Sequence, residues 1–132
     1  MQALDITSFD AVADSDGGFE FELLGTDGMT GTGVYVTVLG RHADAVVAWG
    51  NKVFNATTRE TQMAARKGKM VEPKTLDELR DQNIEGAVIR VTGWRNVAQD
   101  YTAELMKKTL LRNPHWLGQI VEQSENLANF TK

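Results

Sequence analysis

Several short stretches of the sequence offer side chains capable of chemistry, and each lacks the partners that chemistry needs. Asp14-Ser15-Asp16-Gly17 spells part of a calcium loop, but the first ligand position would be Val12 and the closing glutamate position Leu23. The glycines between Gly25 and Gly33 contain no Gly-x-Gly-x-x-Gly and open no helix, so they present no dipole to a phosphate. Gly68-Lys69 fails as a Walker loop, with Met63 in place of the leading glycine and Met70 in place of Ser/Thr. Asp77, Asp81 and Glu85 recur at four-residue steps on one helical face. Paired carboxylates do acid–base work when an apolar surround splits their pKa values. None is legible here, and the three read as a solvated face. His42 and His115 lack carboxylate or histidine partners at ligand spacing, and cysteine is absent. The expectation is a non-enzyme with no catalytic residue, no metal site and no cofactor.

The elements around these residues belong to a chain of 132 residues, a length that favours one domain over 1–132. No run of about 18 apolar residues exists, so no membrane partner is expected. Met1 to Phe9 is mixed and acidic, unlike a signal peptide, and the lack of cysteine suits a reducing cytoplasm. Net charge is −4, unevenly spread. Asp5, Asp10, Asp14, Asp16, Glu20, Glu22 and Asp27 all precede the first cation, Arg41. Arg59, Arg66, Lys67, Lys69 and Lys74 are opposed in their interval only by Glu60 and Glu72. One end is therefore acidic and another locally basic, which suits solvated faces, head-to-tail self-association or a contact with an oppositely charged partner.

Residues 1–18 read as a surface arm, mobile or docked on a neighbour. Over 19–39, Phe19, Phe21 and Leu23 alternate with Glu20 and Glu22, and Val34, Val36 and Val38 alternate with Tyr35 and Thr37. This predicts a β-hairpin with a long glycine-rich tip. Its edge must lie on helices or extend a neighbour's sheet. A long helical segment occupies 42–70, with Val46, Trp49, Val53 and Phe54 at helical steps. Helical from about Ala43 to Arg66, it would be roughly 36 Å long, with a second half too polar to be anchored internally. The C-terminal helices fill 75–130. Thr75-Leu76-Asp77-Glu78 is a capping box for a helix running to about Val91, and Gly93 stops it before a loop from Trp94 to Asp100. Thr102 caps the next helix, with Leu105, Met106 and Leu110 facing inward. Pro114 starts the last one, built on Trp116, Leu117, Ile120, Val121, Leu127 and Ala128. Trp49, Trp94, Trp116 and Phe130 are the expected core anchors. The fold class is α+β, mainly α: an N-terminal β-hairpin, a long helix and a compact bundle of about three further helices.

The order of these segments resembles the tail assembly chaperones of long-tailed bacteriophages. The likeness runs from about Phe19 to Phe130. It is carried by Val38-Leu39-Gly40-Arg41-His42-Ala43-Asp44 opening the long helix, then Val91-Thr92-Gly93-Trp94, then Tyr101-Thr102-Ala103-Glu104. Leu110-Leu111-Arg112-Asn113-Pro114 and the terminal Asn126-Leu127-Ala128-Asn129-Phe130 complete it. The resemblance implies a protein of the host cytoplasm, absent from the mature virion. It would bind the tape measure protein, keep that long helical chain soluble and recruit tail tube protein during virion morphogenesis. Under this reading Val53, Phe54, Met63 and Met70 contact the client, and Arg59, Arg66, Lys67 and Lys69 hold its acidic side chains. The same residues could instead form a dimer interface or core.

A rival reading is a structural subunit of the tail or head–tail connector, resident in the virion and forming rings through hairpin and charge-pole contacts. Nucleic-acid binding through Arg59 to Lys74 is disfavoured by few cations, no interleaved aromatics and an acidic total.

Overall fold

Alternating apolar residues make β1 (Phe19–Leu24) and β2 (Gly31–Val38), which pair antiparallel with Phe21 opposite Val36. A computed structural model describes residues 3–131. Over that span the chain forms five α-helices and a three-stranded antiparallel sheet of order β1-β2-β3. The third strand, β3 (Val91–Arg95), is where sequence and structure part. The sequence reading ran the second long helix to about Val91 and began a loop at Trp94. Instead the helix ends at Arg90, and Val91-Thr92-Gly93-Trp94-Arg95 pairs with β2, placing Trp94 opposite Val36. A register shift between Thr37 and Val38 lets Val91 and Trp94, three residues apart, both reach the core, so strict alternation is broken. β3 covers the free edge of the hairpin, and β1 and β3 become the sheet edges.

The last three helices share one core with this sheet, and the long helix before them packs on the first of the three. α1 (Ala11–Asp16) is short and N-capped by the Asp10 carboxylate. It holds the end of the expected surface arm against its own chain, with Ser15 buried and its carbonyl accepting from Gly40 N–H at 3.0 Å. α2 (Asp44–Arg66) is the long helix. Gly68, at φ 66°, ends it by letting Lys69 N–H reach back to the Ala64 carbonyl at 2.9 Å and Gly68 N–H to that of Ala65 at 3.0 Å. α3 (Leu76–Arg90) opens on the Thr75–Glu78 capping box. α4 (Ala103–Arg112) is capped by Thr102, and α5 (Pro114–Glu125) follows immediately.

The core joins Leu23, Val36, Val38 and Val91 of the sheet to Ile84 and Ala87 of α3, Met106 and Leu110 of α4, and Ile120 of α5. Phe130 belongs to it, edge-on to Phe19 at 6.2 Å, while Trp94 and Trp116 pack on it half-buried. Trp49 is half-buried too, but stands apart from this cluster. The last helix stops at Glu125, and Leu127–Phe130 is a 3-10 turn capped by Asn126. Leu127 and Ala128 are consequently exposed rather than buried.

Two polar fastenings fix the sheet to the helices. The Gln119 amide grips both backbone groups of Leu24, accepting from its N–H at 2.7 Å and donating to its carbonyl at 3.1 Å. Trp116 Nε1 donates to the same carbonyl at 2.8 Å. On the outer sheet face Arg95 forks onto the Glu20 carboxylate at 2.7–3.0 Å and lies 4.1 Å from the Tyr35 ring centre.

Candidate functional site

The long helix is seated at its N-terminal end, where Ala43 and Val46 are buried. The Trp49 ring lies against Gly86 of α3, so close that a Cβ there would stand 2.6 Å from Trp49 Cη2. Arg90, nearly buried, stacks 5.6 Å from the same ring, donates from Nη1 to the Gly86 carbonyl at 2.8 Å and pairs through Nη2 with Glu125 at 3.0 Å. Arg41 reaches the other Glu125 oxygen at 3.6 Å. Glu125 thus ties the start of α2 and the end of α3 to the end of α5.

Residues of α2, α3 and α4 line an open groove of about 740 Å³. Val53 and Ala56 of α2, Val88 and Ile89 of α3 and Ala103 of α4 supply its apolar lining. Glu60, Glu78, Asp81, Glu85 and Glu104 rim it, against Lys52, Lys74 and Lys107. Lys52 pairs with Glu85 at 3.6 Å and Lys74 donates to Gln82, leaving the rim acidic. On α2 the lining runs from Lys52 to Glu60, roughly 12 Å at the helical rise, or two turns of a docked helix. The shape is that of a helix-in-groove site.

The residues expected to bind a partner distribute unevenly around it. Val53 lines the groove; Phe54, about 100° further round the helix, is exposed outside the lining. Met63, Arg66, Lys67, Lys69, Met70 and Arg59 are all exposed and outside the lining. The groove brings together acidic residues of three helices, of which the sequence reading had grouped on one face only Asp81 and Glu85. Asp77, third in that row, pairs with Arg80 at 3.5 Å and does not line the groove. Leu76 and Leu79, at helical spacing with Ile84 and Ala87, are exposed, because α3 meets the core only from Ile84 onward. Arg90 was missed entirely; its one signal is a lone arginine closing the apolar run Ala87-Val88-Ile89.

Shifted carboxylates lie elsewhere, on the hairpin. Asp27 is pulled down to about 2 by the Thr30 hydroxyl and by the Thr30 and Met29 amides, which all donate to it. Glu20 is lowered by its hydrogen bonds from Arg95. Both are held by donors in solvent and serve the turn and the sheet. Burial raises the Tyr101 phenol, whose hydroxyl donates to the Val91 carbonyl at 3.2 Å. Among the described residues, no group of three or more His, Asp or Glu converges as a metal site, and no helix is long and apolar enough to cross a membrane. Comparison with family models, with curated proteins and with solved structures finds no match to this chain.

Proposed function

We propose that this chain is a tail assembly chaperone of a long-tailed bacteriophage. In this reading it works in the host cytoplasm, where it holds the tape measure protein soluble and promotes tail tube assembly around it. The observation that supports this best is the open groove between α2, α3 and α4, rooted rigidly at Trp49 and lined by apolar side chains over the length of two helical turns. A long helical client offers what such a groove accepts, an apolar stripe repeated along one face. The acidic rim favours client segments that flank the stripe with lysine or arginine. Of the segments that carry the family resemblance, Val38–Asp44 leads into α2 and Val91–Trp94 follows α3, with Val38 paired to Val91.

Co-expression with the neighbouring tape-measure gene tests the proposal. Soluble tape measure protein should co-purify with the wild type and with Phe54→Asp, and be lost with Val53→Asp or Ile89→Asp at unchanged melting temperature. Tape measure protein that stays insoluble beside the wild type sinks the proposal. The unpaired edges of β1 and β3 favour the alternative of a ring-forming tail subunit. Mass spectrometry of purified particles separates the two, since a chaperone is absent from them and a ring subunit is present in several copies.

A further inference from the structure

Charge is spread unequally along the groove between α2, α3 and α4. Trp49 meets Gly86 and Lys52 pairs with Glu85, so α2 and α3 run in opposite directions and their residues match in reverse order. The Tyr101 hydroxyl on the Val91 carbonyl brings the start of α4 to the end of α3. One end of the groove therefore holds Val53, Val88, Ile89 and Ala103, where Lys52 and Lys107 match Glu85 and Glu104 in number. Charge there is balanced. The other end, toward the α2–α3 connector, holds Glu60, Glu78 and Asp81. Lys74 lines it as well, but its ammonium donates to Gln82. Among the described residues, Glu60 and Asp81 have no ion-pair partner. Arg59 lies about 100° round the helix from Glu60, and Arg66 roughly 9 Å further along it, both outside the lining. This end is acidic.

We propose that the groove takes its helix in one direction only. The occupant is an amphipathic helix of a partner chain with lysine or arginine in its first turn, seated with its N-terminus at the Glu60, Glu78 and Asp81 end. This rests on the reading of the groove as a helix site. Two effects add. A helix N-terminus carries about half a positive charge and N–H groups without partners, both of which carboxylates satisfy. Cations of the first turn meet the same carboxylates, whereas a reversed helix would bring its negative carbonyl end to them. The rest of the apolar stripe then lies on Val53, Val88 and Ile89, where charge is balanced. On α3 the lining from Glu78 to Ile89 is roughly 16 Å long, room for one cationic turn and two apolar ones. So seated, the partner runs antiparallel to α2 and parallel to α3. An acidic segment is a poor occupant, and that includes this chain's own arm with Asp5, Asp10, Asp14 and Asp16.

Two synthetic peptides of one composition test this on the full chain. Each is a leucine-striped helix of about 16 residues with blocked ends, stapled on its outer face so that both are equally helical. One carries its lysines in the first turn and the other in the last. The first should bind about tenfold more tightly. Glu60→Gln combined with Asp81→Asn should bring it down to the affinity of the second, which barely changes. A nitroxide at the N-terminus of the first peptide should broaden the amide signals of Glu60 and Glu78 and spare those of Val53 and Ile89. Equal affinities, or broadening at Val53 and Ile89, overturn the direction and leave a helix site without one. If neither peptide binds, or if both still bind Ile89→Asp, the groove is not the helix site and the inference falls with that reading. Tape measure protein that stays insoluble while the peptides behave as expected sinks the chaperone alone.

Discussion

Gly86→Ala should destabilise the protein even though alanine is the better helix former. Replacing an exposed helical glycine by alanine stabilises by about 1 kcal/mol. At Gly86, within α3, the new Cβ would meet Trp49 Cη2 at 2.6 Å and Cζ2 at 2.9 Å. Arg90 Nη1 would stand 3.2 Å from the same Cβ, and its guanidinium is held by the Gly86 carbonyl and Glu125, so it yields little room. Overpacking of this kind costs about 1–3 kcal/mol, which exceeds or cancels the helical gain and leaves a net loss of up to about 2 kcal/mol. Two internal controls share the helical context without the neighbour. Gly50 in α2 and Gly118 in α5 have nothing within 4 Å of a built Cβ, so Gly50→Ala and Gly118→Ala should each stabilise by about 1 kcal/mol. Denaturant unfolding of the three variants, read at constant slope, measures the contrast. In a Trp49→Ala background the penalty at Gly86 should vanish and the helical gain return. Gly86→Ala as stabilising as the two controls, or a penalty that survives without Trp49, would refute the view that α2 is seated on this glycine.

Two further expectations concern the sheet. Gln119→Ala removes the side chain that satisfies both backbone groups of Leu24, at a cost of about 1–3 kcal/mol. Amide exchange at Leu24 should accelerate in Gln119→Ala and stay slow in Gln119→Glu, which keeps the acceptor; equal acceleration in both removes the clamp from the account. Asp27 has a folded pKa held below its usual value, so the order it lends the hairpin tip is fully present above about pH 4. That order is lost as pH falls through about 2. Carboxyl chemical shifts of Asp27 should titrate near that lower value, and Thr30→Ala should move the midpoint upward. A midpoint that ignores Thr30 contradicts the hydroxyl's part in it.

The pattern of the strands, the ends of the long helix and the caps of α3 and α4 were legible in the sequence because each rests on local rules. Phe19-Glu20-Phe21-Glu22 has one period, Gly68 accepts the positive φ that ends a helix, and Thr75 with Glu78 closes its own ring of hydrogen bonds. β3 was hidden for a nonlocal reason. No breaker separates Arg90 from Val91, and the register shift spoils the period of two. Gly93, which the sequence reading used as a helix stop, is a paired residue inside the strand, opposite Thr37. Trp49 was correctly placed on the inner face of α2, but it closes a joint with Gly86 and Arg90 rather than filling the central core. That joint needs a glycine, a tryptophan and an arginine from two helices, and no spacing rule links them.

The groove was illegible for a related reason, and α3 shows why. A single apolar pattern, Leu76, Leu79, Ile84, Ala87 and Val88, runs along the helix as if it had one destination. Its C-terminal half is buried against the sheet and α5, while Leu76 and Leu79 face open solvent on the arm. Periodicity reports that a face is apolar and is silent on which surface covers it. What divides the stripe is where the sheet ends, and that was fixed by a strand and a root residue far away in sequence. The part of the pattern left without an internal partner is therefore the part that points to an external one. In this chain that part is Leu76 and Leu79, at the start of α3 and outside the groove lining, rather than any cluster of reactive side chains.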